Sequence, residues 1–318
     1  MVDMSTVLAG ATLPNPVMTA SGCAANGKEL HRFFPVSDLG AFVTKTVMRD
    51  PRAGRGTPRM AETPSGMLNS IGLQGPGIDV FVEHDLPWLQ SVGARVLVSV
   101  AGNTAEEFGE VVERLAAGPA FEAVVGVEVN ISCPNVANRG LVFACDAASS
   151  ERVVAIVRER LPDLPVLAKL TPDVTDIVEI AAAALAAGAD GLTMVNTLLG
   201  MVIDTDLLRP HLAGVTGGLS GPAIRPVAVR ALFQVHGAMR AGRLPLAPLV
   251  GVGGVRSGRD ALELVSAGAS AVQVGTATFN DPGAPRRVLD ELEAEIARHG
   301  FGRFADVVGI AHERIPCP

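Results

Sequence analysis

One thiol follows an apolar run in the middle of the chain, where a strand is predicted to end. Cys133 comes directly after VGVEVNIS and stands between Asn130 and Asn135, with Pro134 constraining the turn. Turns beyond a strand often carry ligand contacts, so Cys133 is a candidate chemical group. It could be a covalent nucleophile, helped by a histidine from elsewhere in the chain, or a general base that takes a proton from carbon. The remaining alternative is an inert buried cysteine.

Polar residues also end most of the other apolar runs. In a parallel barrel the carboxyl ends of the strands meet at one face, where catalytic residues stand. Burying amides and two ammonium groups there without partners would cost several kcal/mol each. A ligand with many acceptors and negative charge is the economical explanation. The polar residues at these ends are Ser21, Lys45, Thr46, Asn103, Asn130, Lys169, Asn196 and Thr197.

Three glycine-rich turns indicate a phosphate site. GVGGVRSG begins at Gly251 and VQVGTAT at Val272, and their glycine turns follow the last two predicted strands. Barrels commonly bind phosphate at that place through backbone N–H groups. The run from Gly218 to Pro222 leads into a helix and supplies more such donors. The pattern predicts a phosphorylated substrate or a mononucleotide cofactor.

Short β-rich runs alternate with amphipathic helical runs almost to the C-terminus, which predicts βα units around a parallel sheet. Eight such units predict an α/β fold, a (β/α)8 TIM barrel, as a single domain over residues 1–318. Gly188 and Gly268 are expected just beyond helix ends. The Pro- and Gly-rich segment 50–90 is predicted to be an insertion over the C-terminal face, and 198–220 a second excursion. The predicted strands end at Ala20, Thr46, Ala101, Asn130, Leu170, Asn196, Gly254 and Thr276.

Composition excludes several classes of protein. The 318 residues are 48% hydrophobic and carry a formal net charge of -7, without the basic stripe that nucleic-acid binding needs. The N-terminus lacks a signal-peptide pattern and no apolar run is long enough to span a bilayer, so we expect a cytoplasmic protein without membrane contact. The four cysteines are scattered without a C-x-x-C pair, so no metal site is expected.

These motifs together resemble the class 1 dihydroorotate dehydrogenases, and most closely their B subtype. The resemblance covers nearly the whole chain. It implies FMN-dependent oxidation of (S)-dihydroorotate to orotate in pyrimidine biosynthesis. The motifs that carry it are NPVMTASG, VTKTVMRDPRAGRGTPRMAETPSGMLNSIGLQGPG, VNISCPN, AKLTPDVTDIVEIA, GLTMVNTLLGM, TGGLSGPAI and SAVQVGTA.

The resemblance also implies roles for individual residues. Cys133 would be the general base that takes the C5 proton of the substrate while the C6 hydride passes to flavin N5. The residues implied to hold the substrate are Lys45, Asn69, Ser70, Ile71, Gly72, Leu73, Asn130, Asn135, Asn196 and Thr197. The residues implied to hold FMN are Ala20, Ser21, Lys45, Thr46, Asn103, Asn130, Lys169, Val195, Gly221, Gly253, Gly254, Gly275 and Thr276.

A partner is implied by the same resemblance. The B subtype works with a second subunit that holds FAD and a [2Fe-2S] cluster and passes electrons to NAD, so a homodimer within a heterotetramer is expected. The A subtype is instead self-sufficient and uses an acceptor such as fumarate. The chain departs from the family at CAANG, which places Cys23 near the expected flavin, and at VFACDA, which contains Cys145.

Three other functions compete with this interpretation. A related FMN enzyme similar to dihydropyrimidine dehydrogenase would share the barrel and the cysteine. A Schiff-base lyase would use Lys169 as its nucleophile, with the glycine turns holding a substrate phosphate. A non-catalytic FMN-binding subunit would leave Cys133 without a chemical role.

Overall fold

The computed structural model describes residues 2–132 and 145–314. Its strands are β1 (Thr6–Leu8), β2 (Ala11–Leu13), β3 (Val17–Thr19), β4 (Phe42–Val43), β5 (Met60–Thr63), β6 (Gly66–Asn69), β7 (Val96–Val100), β8 (Val124–Val129), β9 (Val166–Leu170), β10 (Gly191–Met194), β11 (Leu198–Gly200), β12 (Ile203–Asp204), β13 (Arg209–Pro210), β14 (Gly217–Ser220), β15 (Leu249–Val252) and β16 (Ala271–Val274).

Eight of these strands form one parallel sheet in the order β3-β16-β15-β10-β9-β8-β7-β4. A parallel bridge between Met18 and Ala41 joins its two edges, so the sheet closes on itself. Each strand of the sheet coincides with one of the eight predicted runs. The predicted (β/α)8 barrel is confirmed.

Helices cover the outside of the barrel. They are α1 (Ile78–Val80), α2 (Leu86–Ser91), α3 (Ala105–Ala116), α4 (Ala147–Arg160), α5 (Ile177–Ala186), α6 (Arg225–Arg240), α7 (Gly258–Ser266), α8 (Ala277–Asn280) and α9 (Ala284–Arg298). A π-helical segment, Phe81–Asp85, joins α1 to α2.

Local sequence signals fix several helix ends. The Thr104 side chain accepts a hydrogen bond from Glu107 N at the start of α3, and Ser257 with Asp260 forms a capping box at α7. Gly188 and Gly268 follow α5 and α7 with φ of 97° and 127°. Side chains rarely adopt such values, which explains glycine at both predicted helix ends.

Two apolar layers hold the barrel together. The outer layer packs the helices on the strands, whereas the inner layer fills the barrel with residues such as Met18, Leu97 and Leu167. Leu8 and Leu13 of the β1–β2 hairpin join the inner layer, and this hairpin directly precedes β3. The hairpin therefore closes the N-terminal end of the barrel, and the opposite end carries the polar residues.

A second, antiparallel sheet lies beyond the carboxyl ends of the strands, and we call it the roof sheet. Its strand order is β11-β14-β6-β5, so it pairs the hairpin 60–69 with strands from the excursion 198–220. The last part of the predicted insertion, 78–91, is helical instead. Ile78, Phe81 and Leu89 belong to the outer apolar layer, so this part is the outer helix that follows β4.

Candidate active site

Two adjoining cavities lie at the carboxyl ends of the barrel strands, beneath the roof sheet. The glycine cavity, of about 950 Å³, is the one lined by Gly221, Gly253, Gly254 and Gly275. The amide cavity, of about 840 Å³, is the one lined by Asn69 and Asn130. Their shared wall is formed by Ser21, Cys23, Met67, Asn196, Thr197, Ser220, Thr276 and Phe279. They therefore form two lobes of one cleft.

The turns that line the glycine cavity carry three backbone N–H groups without an intramolecular acceptor. Those of Gly254, Gly275 and Thr276 donate to no group within the described chain, and all three residues line this cavity. Backbone N–H groups presented by successive turns can bind an anion, so this set is a candidate place for an acceptor-rich ligand. A Cβ at Gly254 would lie 2.7 Å from Arg225 Cβ, which excludes a side chain there without movement.

The turn after β16 is tied to the roof sheet. Thr276 Oγ1 donates to Ser220 Oγ at 2.8 Å, and Ser220 lies in β14. Gly221 has a φ of 85°, and a Cβ there would lie 2.9 Å from Gly66 Cα in β6. The roof sheet thus approaches the glycine turns through backbone contacts that only glycine allows.

Lys169 brings a positive charge to the wall of the glycine cavity. Its Nζ donates to Ser21 Oγ at 3.0 Å and lies 3.2 Å from Glu128 Oε1. Glu128 Oε2 accepts from Gln273 Nε2 at 2.7 Å. The side chains of Lys169 and Glu128 are 4% and 0% exposed, so this is a buried ion pair inside the barrel.

The amide cavity is organised by a chain of side-chain hydrogen bonds. Asn196 Nδ2 donates to Ser132 Oγ at 2.8 Å and to Asn130 Oδ1 at 3.3 Å. Asn130 Nδ2 donates to Thr46 Oγ1 at 3.1 Å, and Thr46 lies 3.0 Å from Ser99 Oγ. The side chains are held by one another before any ligand arrives, which limits the entropy lost on binding.

The segment 69–73 forms another wall of the amide cavity. Asn69, Ile71, Gly72 and Leu73 line it. Gly72 and Leu73 have φ values of 80° and 54°, which turn the chain beside the cavity. Lys45 also lines this cavity, and its Nζ would lie 3.5 Å from a Cβ at Gly22.

Two predicted site residues are held elsewhere. Ser70 is fully buried and accepts from Arg55 Nη1 at 3.1 Å, and it lines neither cavity. Asn103 Oδ1 accepts from Arg52 Nη1 at 3.0 Å, and its Nδ2 donates to Glu107 at 2.7 Å. It also lines neither cavity, whereas Arg52 does. Asn103 therefore orients Arg52 at the amide cavity.

Two further predicted residues, Cys133 and Asn135, lie outside the residues that the structure describes. The described chain ends on one side at Ser132, which Asn196 holds through its Oγ at 2.8 Å and its backbone oxygen at 3.4 Å. It resumes at Cys145, which lies beside Asp173. The remaining predicted site residues line one or both cavities: Ala20, Ser21, Lys45, Thr46, Asn69, Ile71, Gly72, Leu73, Asn130, Lys169, Val195, Asn196, Thr197, Gly221, Gly253, Gly254, Gly275 and Thr276.

Cys23 stands at the junction of the two cavities. Burial raises the pKa of its thiol, against the opposing charges of Lys169 and Lys45. The thiol is therefore kept uncharged, as expected for a buried sulfur. Glu128 was not predicted as a site residue from the sequence. Its signal was that it is the charged residue in the otherwise apolar strand VVGVEV.

The comparison with known families decides the class of protein. A family model described as Dihydroorotate dehydrogenase matches residues 3–296. The chain belongs to the dihydroorotate dehydrogenase family. It is therefore an oxidoreductase of pyrimidine biosynthesis that oxidises dihydroorotate, and the family predicted from the motifs is confirmed.

Individual relatives cover the chain almost from end to end. Proteins of Geobacter sp. (strain M21) and Geobacter sulfurreducens are 48% and 49% identical over 307 residues, which is 96% of this chain and 97% of each relative. One from Desulforudis audaxviator is 47% identical over 311 residues, 98% of both chains. All three are described as "Dihydroorotate dehydrogenase B (NAD(+)), catalytic subunit". That description implies a further subunit in those relatives.

No helix in ranges 2–132 and 145–314 is long and apolar enough to cross a membrane. Within the same ranges, no group of three His, Cys, Asp or Glu residues could hold a metal ion.

Proposed function

We propose that this dehydrogenase binds one FMN without a covalent link, with its phosphate in the glycine cavity. The observation that carries the proposal is the set of unpaired N–H groups of Gly254, Gly275 and Thr276, which suits an anion with several acceptor oxygens. Ala20, Val195 and Lys169 line the same cavity and would contact the rest of the cofactor.

Bound FMN would supply the acceptor for the hydride that leaves carbon 6 of dihydroorotate. The buried ammonium of Lys169 lies at the wall of the same cavity and favours negative charge on its neighbour. Ser21 holds this ammonium in place through its Oγ at 3.0 Å.

We propose the amide cavity as the substrate site. The Lys45 ammonium pairs with the substrate carboxylate, a charge-assisted contact that is stronger than a neutral hydrogen bond. Asn69, Asn130 and Asn196 bind the ring amide edges, because each side-chain amide offers both a donor and an acceptor. The hydrogen bonds among Asn196, Asn130 and Thr46 fix these amides in position.

Cys133 is proposed as the general base, in accordance with the motif VNISCPN. Its Sγ takes the proton from carbon 5 of the substrate, which leaves the C5=C6 double bond of orotate once the hydride has gone. The support from the described chain is Ser132, the preceding residue. Asn196 holds it beside the amide cavity, so the chain enters the segment with Cys133 at the substrate site.

The onward path of the electrons is also a proposal. The names of the relatives contain the words "NAD(+)" and "catalytic subunit". These words support a partner that passes electrons to NAD. We propose a homodimer of this chain, joined in a heterotetramer by subunits that hold FAD and a [2Fe-2S] cluster. A self-sufficient enzyme that reduces fumarate is the alternative.

Anaerobic spectroscopy tests the cofactor and the substrate together. The purified protein should show an FMN spectrum, lose it on addition of dihydroorotate and release FMN on denaturation. A folded protein that is colourless and takes up no FMN would refute the proposal. Loss of colour with dihydropyrimidines but not with dihydroorotate would favour the dihydropyrimidine dehydrogenase type of enzyme.

The Schiff-base alternative is tested separately. Lys169 Nζ is held by the Glu128 carboxylate and by Ser21 Oγ, which leaves it poorly placed to attack a substrate carbonyl. Borohydride should therefore trap no substrate on the protein. To test for a partner, the chain is assayed alone with NAD and with fumarate, and then isolated from its own cell extract. Rapid turnover with either acceptor and no flavoprotein in the isolate would exclude the heterotetramer.

A further inference from the structure

The buried carboxylate of Glu128 lies behind Lys169, outside the lining of the cleft. It contacts Lys169 through Oε1 and accepts from Gln273 through Oε2. Lys169 lines the glycine cavity, whereas Glu128 lines neither cavity of the cleft. Glu128 therefore touches no ligand of the cleft and acts on one only through the lysine that it holds and through its own negative charge.

Stability alone does not explain such a pair. Removing two charges from water costs about as much as their attraction returns, and well-packed apolar side chains often serve equally well. A barrel interior already filled with Met18, Leu97 and Leu167 could have continued in the same way. The pair does something that apolar residues cannot: it holds a positive charge at the cavity wall.

We propose that Glu128 is a positioning residue that fixes the Lys169 ammonium beside FMN and, through its own negative charge, offsets part of the positive charge that FMN meets there. This proposal rests on the proposed function, since it concerns the same cofactor. The held charge stabilises the more negative, reduced form of FMN relative to the oxidised form. In this way Glu128 sets how readily the cofactor accepts the hydride, although it touches neither cofactor nor substrate.

The other ionisable groups near Lys169 cannot replace Glu128. Cys23 lies close enough for its charge to be felt, but burial keeps this thiol neutral. Lys45 carries the same sign of charge as Lys169, and both ammonium groups oppose the rise in the pKa of the Cys23 thiol. Among the described residues, Glu128 is the carboxylate within ion-pair distance of Lys169.

The variant Glu128→Gln removes the charge and can keep the hydrogen bonds. Its oxygen can accept from Lys169, while its new NH2 group needs an acceptor in place of the Gln273 donor. Gln273 Oε1 is buried without a partner, and a half-turn of the Gln273 amide presents this oxygen to the new NH2 group. The variant is therefore expected to fold and to bind FMN.

The measurement is the midpoint potential of bound FMN, which reports the ratio of affinities for reduced and oxidised cofactor. In Glu128→Gln the offsetting negative charge is gone, so this preference for reduced FMN should rise at least tenfold, which is an increase of ~30 mV for two electrons. The matched control is Glu113→Gln, because Glu113 pairs with Arg160 at 2.9 Å on the surface and is 51% exposed. Its ratio should change less than about twofold, since exposed charges are screened.

Lys169→Met, alone and in a double variant with Glu128→Gln, tests the sign of each charge. Lys169→Met removes the positive charge, so its preference for reduced FMN should fall below that of wild type, in the opposite direction to Glu128→Gln. An unchanged ratio in folded Glu128→Gln would overturn the proposal. A ratio that falls in folded Glu128→Gln would overturn it too, because the carboxylate would then not offset the charge of the lysine.

The ion pair has a second readout that needs no FMN. Lys169→Met leaves a buried carboxylate without its cation, so the FMN-free variant should melt at a lower temperature than the double variant. A double variant that melts no higher than Lys169→Met would overturn the ion-pair argument. A wild-type chain that binds no FMN would overturn the proposed function and the role of Glu128 toward FMN, while this melting order would still report on the pair.

Discussion

Replacing Gly254 by Ala should weaken FMN binding through backbone geometry. The φ of 75° disfavours any side chain, at a cost of about 1–2 kcal/mol. In addition, the new Cβ would lie 2.7 Å from Arg225 Cβ and 3.0 Å from the Gly221 oxygen. Carbon atoms pack at roughly 3.5–4.0 Å, so the turn or its neighbour must move by about 1 Å.

The turn is the part that moves, because Arg225 is held. Arg225 begins α6, and its guanidinium pairs with Asp260 and with Glu263. Movement of the turn displaces the Gly254 N–H from the proposed phosphate position. Losing one hydrogen bond to a charged group costs about 1.5–3 kcal/mol, which raises the Kd for FMN roughly 10- to 150-fold.

Gly242→Ala is the matched control. Gly242 has a φ of 70°, similar to that of Gly254, but a Cβ there would meet no atom within 4 Å. It follows α6 and lines neither cavity. Both variants carry the conformational strain, and Gly254→Ala alone carries the collision beside the cavity.

The assay removes FMN and follows its rebinding by flavin fluorescence, with thermal melting as a check on folding. Gly242→Ala should melt lower than wild type and bind FMN normally. Gly254→Ala should melt lower and lose affinity. Binding of FMN by Gly254→Ala within about twofold of wild type would refute the reasoning, as would an equal loss of affinity in Gly242→Ala.

Three further predictions follow from the site and its surroundings. Cys133→Ala should keep FMN and orotate binding, but in stopped-flow measurements its flavin should be reduced far more slowly by dihydroorotate. Cys133→Ser should recover part of the rate at high pH. An unchanged rate in the Ala variant would assign the base elsewhere. Asn196→Ala removes the contacts with Ser132 and Asn130. The loss of one hydrogen bond costs about 1–3 kcal/mol, so the Kd for orotate, measured by titration, should rise roughly 5- to 150-fold. Unchanged orotate affinity would contradict the substrate assignment. Burial lowers the pKa of His236 from 6.5 to about 4, with His312 and Arg240 contributing. The unfolded chain therefore takes up this proton first, so the stability that neutral His236 contributes is present above pH 6.5 and lost as the pH falls toward 4. The melting temperature should depend less on pH over that interval in His236→Gln, and an identical dependence would show that His236 does not titrate in this way.

The barrel could be predicted because its signals are local. Each of the eight strands is a short apolar run bounded by turn residues, and Gly188 and Gly268 mark helix ends through a backbone conformation that glycine favours. The helical segment 78–91 was less visible, since the Pro- and Gly-rich stretch before it hid where the insertion ends. Its apolar residues Ile78, Phe81 and Leu89 have helical spacing, which is the signal that identifies it.

The site was predicted less completely, because side-chain partners are not local. Asn103 follows β7, as a site residue should, but its side chain binds Arg52 and Glu107 and does not line the cleft. Ser70 lies between two cavity residues and faces the other way, toward Arg55. Glu128 could be recognised only once β9 and β16 had brought Lys169 and Gln273 to it. Positions at strand ends are readable from sequence, whereas the direction of each side chain depends on distant neighbours.

The roof sheet makes two distant parts of the chain into one cooperative unit. Leu68 and Leu219 are register partners although 151 positions separate them in the sequence. Opening one excursion therefore breaks backbone hydrogen bonds of the other, and their amide protons should exchange with solvent at a shared opening free energy. Such a unit also constrains how the two excursions vary during evolution. A deletion within β6 or β14 removes hydrogen-bond partners from the other strand, so the registers of these two strands can change only together.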